Sequence, residues 1–490
     1  MNTVRRSIAF SVIEKYLAQI LLVATTMVMA RILTPAETGL YMTANAVIML
    51  ADNFRTFGVG VYIIQEKQIE RSVVQSAFTL TLFFSLTMGA IIYCGAGWLA
   101  TFYDAPQLRT LLVVAALGFL AIPFSSPVMA LLQRELAFNV IAGINVAAAL
   151  VAFAITVTLG LAGFGPVSYA WGFVGASFTI AALATAVRRN FWIFRVSFAR
   201  TRELLSFGTV SSLITVSNIA YDMLPRLAFG KMLGFDAVGL YARALTVCQL
   251  PDRAVVSALH PVVLPAFAAQ ARAGDSLKAY YLHGLSLITA VQWPALIMLC
   301  LLADPVVDIL LGAQWGAVPP LVRFIALANM ALAPAALTFP VLVAAGRVHD
   351  ALRASLTSLP PSFLILIVAA LHSLDAVAAS MLVVAPLQML IAYRYVSPVI
   401  GLGWAELARA GRHSAALAMG TAFVPVIIVA LSPTGFDLGW LQTMAAVAGG
   451  AAGWGIVLAF VDHPLKREIV GIWISLSAWV WRRNAAASRL

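Results

Sequence analysis

Charge is what this 490-residue chain has least of. Asp, Glu, Lys and Arg make up 10% of it, against roughly a quarter in soluble domains, and that shortage excludes a water-facing surface over most of the molecule. Cysteine is scarce as well. Cys94, Cys248 and Cys300 all fall inside apolar runs, so they read as small buried residues and imply no disulfide framework. Of the six histidines, His260 reads as a polar helix end, and His283, His349, His372 and His413 lie near the ends of apolar runs. There is no P-loop, no clustered set of metal ligands, no Gly-x-Ser-x-Gly elbow and no polar loop long enough to house a catalytic domain. Neither an enzyme nor a metal or organic cofactor is expected.

What stands in their place is apolar length. Hydrophobic residues account for 62% of the chain and the mean hydropathy is +0.95. Runs of about 18 or more apolar residues recur from end to end, the length an α-helix needs to cross about 30 Å of hydrocarbon. They fall at about 8–30, 39–64, 73–98, 109–132, 140–160, 165–187, 207–229, 239–263, 279–303, 318–344, 355–372, 374–396, 414–432 and 438–461. The expectation is an all-α integral membrane protein with about 14 transmembrane helices. The first run begins close to Met1, contains Glu14 and Lys15 and has no small-residue cleavage site behind it, so it reads as a retained helix.

The net charge of +11 is a topology signal rather than a nucleic-acid footprint. With both termini cytoplasmic, about 22 of the 31 Lys and Arg fall on the cytoplasmic side, among them Arg5, Arg6, Arg188, Arg189, Arg195, Arg200, Arg202, Arg409, Arg412, Lys466 and Arg467. Only Arg31, Arg109, Arg226, Lys231 and Arg323 fall toward the other side, which is the positive-inside asymmetry of an inner-membrane protein.

The chain also repeats itself. "RILTPAETGLY" at 31–41 returns as "KMLGFDAVGLY" at 231–241. A shift of 200 pairs Arg31 with Lys231, Leu33 with Leu233, Gly39 with Gly239, Tyr41 with Tyr241 and Asp52 with Asp252. A shift of 213 then pairs Pro106 with Pro319, Leu108 with Leu321, Pro127 with Pro340, Val128 with Val341 and Arg134 with Arg347. Six runs precede residue 200 and six occupy 201–400, so the copies are parallel, and pseudo-symmetric halves of this kind let a transporter open a cleft to either side. The expected organisation is a six-helix lobe at 1–200, a second at 201–400, and at 401–490 two extra helices with a Trp- and Arg-bearing tail lying on the membrane. The repeated motif marks a short loop between the first two helices of each half, where Thr34-Pro35 stops a helix and Gly39 suits a tight re-entry.

A charge at the centre of a membrane helix costs about 2.5–3.5 kcal/mol, so those that remain need a reason. They gather on the first two helices of each half: Glu14 and Lys15, then Asp52 and Arg55, then Asp222 and Arg226, then Arg243, Asp252 and Arg253. Ser211, Thr215, Asn218, Asp222 and Arg226 step by three or four and share a helical face. So do Arg243, Thr246, Arg253, Ser257 and His260 around Pro251, and Asn45, Asp52 and Arg55 form a narrower stripe. The candidate site is therefore a cationic central cavity lined by Lys15, Arg55, Arg226, Arg243, Arg253, Asn45 and Asn218, with Asp222, Asp52, Asp252 and Glu14 as candidate carriers of a coupling H⁺ or Na⁺. The alternative stays open for the pairs, since Asp222 with Arg226 at i,i+4 and Asp52 with Arg55 at i,i+3 can also serve only to neutralise one another. Asp222 is the foremost coupling candidate, being on the Ser211–Thr215–Asn218 face.

"ARILTPAETGLY", "FYDAPQLRTLL", "PVMALLQRELAF", "GAQWGAVPPLVRF" and "VLVAAGRVHDAL", taken with the helix count, resemble the polysaccharide-export branch of the multidrug/oligosaccharidyl-lipid/polysaccharide exporter superfamily, the Wzx-type flippases. The resemblance covers about residues 1–460. It implies a V-shaped pair of six-helix lobes, as in MATE transporters, that rock between two open states and carry an undecaprenyl-pyrophosphate-linked oligosaccharide across the inner membrane for exopolysaccharide, capsule or O-antigen. It also implies pyrophosphate-holding cations on helices 1, 2, 7 and 8, where this chain has Lys15, Arg55, Arg226, Arg243 and Arg253, and a lipid groove bordered by the two extra helices. Glu14 beside Lys15 departs from that pattern. The partners implied are the lipid-linked oligosaccharide, membrane lipids, and the polymerase and chain-length proteins of an assembly system, with the exporter a monomer. A lipid II flippase, using the same cationic chemistry, and a MATE-type drug/cation antiporter, which would want an acidic cavity, are the alternatives. A non-transporting scaffold gains nothing from the charged stripes.

Overall fold

The structure is a computed structural model that describes residues 2–56, 59–65, 69–253, 267, 270–271, 273 and 276–468, with the side chains of 2–13, 56, 61, 65, 206–218, 220, 222 and 348 left out. Every regular element among the described residues is helical. In chain order they are α1 (Asn2–Ile32), α2 (Pro35–Thr56), α3 (Val59–Gln65), α4 (Arg71–Phe102), α5 (Pro106–Arg134), α6 (Phe138–Leu161), α7 (Val167–Val187), α8 (Thr201–Met232) and α9 (Phe235–Cys248). There follow α10 (Leu277–Leu301), α11 (Ala303–Leu311), α12 (Val318–Leu332), α13 (Thr338–Ala344), α14 (Val348–Ala370), α15 (Leu374–Ile400), α16 (Trp404–Leu431) and α17 (Trp440–Phe460).

Eleven helical spans among the described residues are long and apolar enough to cross a membrane. Of the sequence runs without a counterpart among these spans, 39–64 holds Asp52 and Arg55, whereas 207–229 and 239–263 lie in part outside the described residues and side chains. Large apolar side chains stand exposed all round the molecule, among them Phe83, Trp98, Leu161, Leu441 and Phe460, as a hydrocarbon solvent permits and water does not. The protein is a multi-pass membrane protein. The Trp-rich tail expected to lie on the membrane falls at 469–490, outside the described residues.

The chain divides into two compact units. One consists of Met1–Ala242 with Leu310–Trp315 and Ala370–Leu374; the other consists of Arg243–Ile309, Gly316–Ala369 and Asp375–Leu490. In the first, α4 packs along α5, α7 along both α5 and α6, α6 along α1, and α2 along α8. One core joins Ala44, Ile92, Leu112, Phe119 and Val174; another joins Ile63, Val74, Val128, Ile141 and Ala184. In the second unit α10 packs along α12 and α16, and α16 along α17. There Gly420 and Gly453 let α16 and α17 touch backbone to backbone, since a Cβ on Gly453 would collide with the Gly420 carbonyl; without water between helices, such close packing is what holds them.

One run differs from expectation for a local reason. The run at 318–344 is interrupted by a 3₁₀ turn at Ala333–Leu337. Pro334 has no N–H to give Met330, and Trp293 Nε1 of α10 donates to that carbonyl instead at 2.9 Å. Tyr281 Oη, also of α10, donates to the Pro334 carbonyl at 2.8 Å.

Candidate functional site

The two copies of the repeated motif meet each other. Pro35 opens α2 after a capping box, in which the Thr34 N–H donates to Glu37 Oε2 at 2.9 Å and the Glu37 N–H to Thr34 Oγ1 at 3.2 Å. The second copy turns at Gly234, with φ of +85°, and opens α9 at Phe235. Gly39 is therefore not a turn residue; it lies a turn inside α2, where a Cβ would collide with the carbonyl oxygen of Phe235. Gly239 occupies the equivalent place in α9, where a Cβ would collide with the carbonyl oxygen of Pro35. The shift of 200 pairs Pro35 with Phe235 and Gly39 with Gly239, so the contact is reciprocal, as across a two-fold axis.

A second exchange surrounds the first. The last carbonyls of a helix have no partner within it. Those of α1 are met by the 310–315 segment: Trp315, fully buried, donates from Nε1 to the Ala30 carbonyl at 2.8 Å, and Gln314 Nε2 to the Leu33 carbonyl at 3.1 Å. The end of α8 is met by the segment 102–104, the copy of 315–317 under the shift of 213. Tyr103 Oη donates to the Leu227 carbonyl at 2.9 Å, and Lys231 Nζ donates to the Phe102 carbonyl at 2.6 Å and to Asp104 Oδ2 at 3.1 Å. The ends of α1 and α8 are thus each held by a segment from the other copy of the sequence repeat.

The candidate polar residues of this unit lie farther along the same helices. Asp52 is about 20 Å along α2 from Gly39 at 1.5 Å per residue. Arg55, 8% exposed, donates from Nε and Nη2 to Asp52 Oδ1 at 3.0 and 2.7 Å, so this pair is an ion pair. Asn45 is half-buried one turn from Met49. Gly230 of α8 abuts Thr43 of α2, and this antiparallel register, carried along both helices, brings residues 218–222 to the level of 51–55. Arg226 is half-buried on α8; the side chains of Asn218 and Asp222 lie outside the described ones, as do Ser211 and Thr215. On α1, Lys15 is exposed, whereas Glu14 accepts from Asn145 Nδ2 of α6 at 2.6 Å and so holds α1 against α6.

In the second unit Arg243 is fully buried on α9, a position where the guanidinium's charge must be balanced within the protein. Arg253 Nη2 donates to Gln249 Oε1 at 2.9 Å, one turn back. Asp252 accepts from Gln292 Nε2 of α10 at 2.6 Å. Ser257 and His260 lie outside the described residues. The same unit holds an apolar groove of about 530 Å³ between α10, α16 and α17, walled by Pro251, Pro294, Met298, Gly450 and Trp454.

Sequence reasoning missed four of these partners: Asn145, Gln292, Gln314 and Trp315. The first two carried a signal, since each is a lone amide inside an otherwise apolar run and a buried amide needs a polar neighbour. It also missed His463, fully buried, whose Nε2 stands 3.1 Å from Ser286 Oγ and 3.3 Å from Ser414 Oγ while Nδ1 accepts from the Leu465 N–H at 3.0 Å. With Nδ1 accepting, the proton sits on Nε2, and burial beside His413 and His283 pushes the imidazole pKa below its usual value.

Comparison with known proteins agrees with this geometry. Residues 28–320, more than half of the chain, match the family model described as polysaccharide biosynthesis protein. The lipopolysaccharide biosynthesis protein WzxC of Escherichia coli (strain K12) is 25% identical over 307 residues, 62% of this chain and 62% of that one. The succinoglycan biosynthesis transport protein ExoT of Rhizobium meliloti (strain 1021) is 28% identical over 349 residues, 71% of this chain and 70% of that one. Among solved structures, the fold is shared with the lipid II flippase MurJ in an inward closed conformation, at a TM-score of 0.73 and 12% identity over 94% of this chain and all of that one. It is shared more loosely with an inward-facing MATE family transporter of the MOP superfamily, at 0.56 and 13% identity over 79% of this chain and 94% of that one. With the helical membrane fold, the paired repeat and the matched model together, this chain belongs to the polysaccharide biosynthesis protein family.

Proposed function

We propose that the protein carries a lipid-linked oligosaccharide repeat unit from the cytoplasmic to the outer leaflet of a bacterial inner membrane, for assembly of an exopolysaccharide, capsule or O-antigen. The observation that carries this reading is the reciprocal closure at 31–41 and 231–241. A contact built from equivalent residues of two halves can be undone by moving one half against the other, without unfolding either. With both termini cytoplasmic, that end faces outward, and the helices that close it are those that bear the embedded charges. Opening there while closing at the other end is alternating access.

The chemistry of the charges fits the cargo. Arg55, Arg226, Arg243 and Arg253 bring guanidinium groups to these helices in excess of the acids Asp52, Asp222 and Asp252, and guanidinium binds phosphate oxygens through a planar fork. Lys15 adds an ammonium on α1. The groove between α10, α16 and α17 supplies an apolar seat for a polyprenyl tail while the headgroup passes. No covalent step is required. Energy enters through an H⁺ or Na⁺ gradient or the membrane potential, one charge crossing 100 mV being worth about 2.3 kcal/mol.

The test is reconstitution of the full-length protein into liposomes loaded with a fluorescent polyprenyl-pyrophosphate oligosaccharide, with accessibility to an external glycosidase as the readout. Protein-dependent exposure of the sugar is the expected result, with Arg243→Gln and Arg55→Gln lowering the initial rate at least tenfold. Exposure at the same rate in protein-free vesicles would overturn the proposal. Active transport of an organic cation, with the lipid left unmoved, would overturn it in favour of a drug antiporter.

A further inference from the structure

A second cavity, distinct from the groove described above, lies between α10, α12, α15 and α16 and holds about 340 Å³. Its walls are apolar, with Trp293 of α10, Met330 and Pro334 at the break after α12, Met389 of α15 and Trp404 of α16; one charged residue, Arg412, also lines it. Around it Leu327, Leu390 and Trp404 stand exposed, so it borders the part of the surface that faces hydrocarbon. We propose that this cleft is a site for one anionic phospholipid, an acyl chain lying along the Trp293–Pro334 wall and the phosphate held by Arg412 and Arg409.

Charge decides the choice of lipid. Arg412 donates from Nε to His413 Nε2 at 3.0 Å, and Arg409 from Nε to the Ala405 carbonyl at 3.1 Å. Each guanidinium is tethered to its own helix by one nitrogen, and the terminal nitrogens of both make no hydrogen bond among the described residues, although Arg409 lies within electrostatic reach of Glu406. Three residues apart on α16, they lie on neighbouring parts of one face. The acid that would oppose a phosphate there is already engaged: Glu406 accepts from Lys278 Nζ at 2.6 Å and from the Gly403 N–H at 2.9 Å. Trp404, stacked on Tyr393 with ring centroids 3.7 Å apart at the start of α16, marks the headgroup level, where indoles collect. An apolar slot with two arginines at its mouth suits a lipid phosphate that carries a net negative charge; a zwitterionic headgroup would bring its own cation against them.

The occupant is tested by native mass spectrometry of the full-length protein in detergent, titrated with phosphatidylglycerol and, separately, with phosphatidylcholine of the same acyl chains. One phosphatidylglycerol should bind about tenfold more tightly than phosphatidylcholine, and the exposed pair Arg409→Gln with Arg412→Gln should remove that preference. Ala408 also lines the cleft, and Ala408→Phe, which fills the slot and leaves both arginines in place, should lose the tight lipid too. Unchanged elution and unfolding midpoint in lipid-free detergent keep both variants comparable with wild type. Equal binding of the two lipids by wild type, or an undiminished preference in the double variant, would overturn the site. Tight phosphatidylglycerol binding by Ala408→Phe would reduce it to a surface charge effect and overturn the cleft.

Discussion

Residues 106–131 and 319–344 are copies of one another under a shift of 213, with Leu108 and Leu321, and Val128 and Val341, buried alike. The first copy is one unbroken helix, α5, although it contains Pro123 and Pro127. The second is α12, a 3₁₀ turn and α13. Position 334 is proline in the second copy and its counterpart, Ala121, is not. Proline alone does not decide the outcome, since α5 absorbs two. What differs is a neighbour able to take the released carbonyls: Trp293 and Tyr281 of α10 hold those of Met330 and Pro334. In hydrocarbon a helix opens only where another donor is waiting. The opened copy is also the one that borders the small cleft. By contrast, the motif-bearing ends have kept the two halves equivalent, because each half is the other's partner there.

The largest expected effect breaks that equivalence. Gly39→Leu and Gly239→Leu each drive a side chain into a backbone carbonyl that cannot move aside, so each should abolish export by itself, measured as sugar exposure in vesicles or surface polymer in a deletion strain. Full activity in either variant would show that the reciprocal contact is dispensable.

Next in size are the donors at the break. Trp293→Phe and Tyr281→Phe should each cost about 1 kcal/mol in thermal unfolding, the usual scale for such bonds in a membrane protein. Pro334→Ala restores an N–H for Met330, so Trp293→Phe in that background should cost less than half as much, and strict additivity would refute the account of the break.

A smaller effect comes from His463, whose folded-state pKa lies below its unfolded value. The unfolded chain then binds the extra proton first, so stability is complete above about pH 6.5 and declines as pH falls toward the lowered folded pKa. The unfolding midpoint should drop between pH 7 and 5 in wild type, and His463→Gln should lack that component. The least change is expected from Lys231→Met, whose two partners, the Phe102 carbonyl and Asp104, are both exposed and which leaves Tyr103 holding α8: a shift of the midpoint by about 2 °C or less, with export retained.

Much of the architecture was legible in advance. Apolar runs located the helices because a bilayer leaves little other option, and where the run at 318–344 is interrupted the proline at 334 supplies the reason. The candidate site was legible as a list: charges that survive in membrane helices stand out by their cost. Their partners were not legible. Asp52 with Arg55 could be paired by spacing, being neighbours on one helix, but Glu14 with Asn145 and Asp252 with Gln292 join residues 131 and 40 positions apart.

Sequence by itself determined that the chain spans a membrane, that it was built twice, and where its expensive residues lie, because hydropathy, self-similarity and burial cost are properties a linear string carries. Only the tertiary structure decided that the copies touch through Gly39 and Gly239. Glycine is permissive in a turn and equally so at a close helix contact, and the string is the same in both cases; which use is made of it depends on whether a second backbone arrives within van der Waals reach.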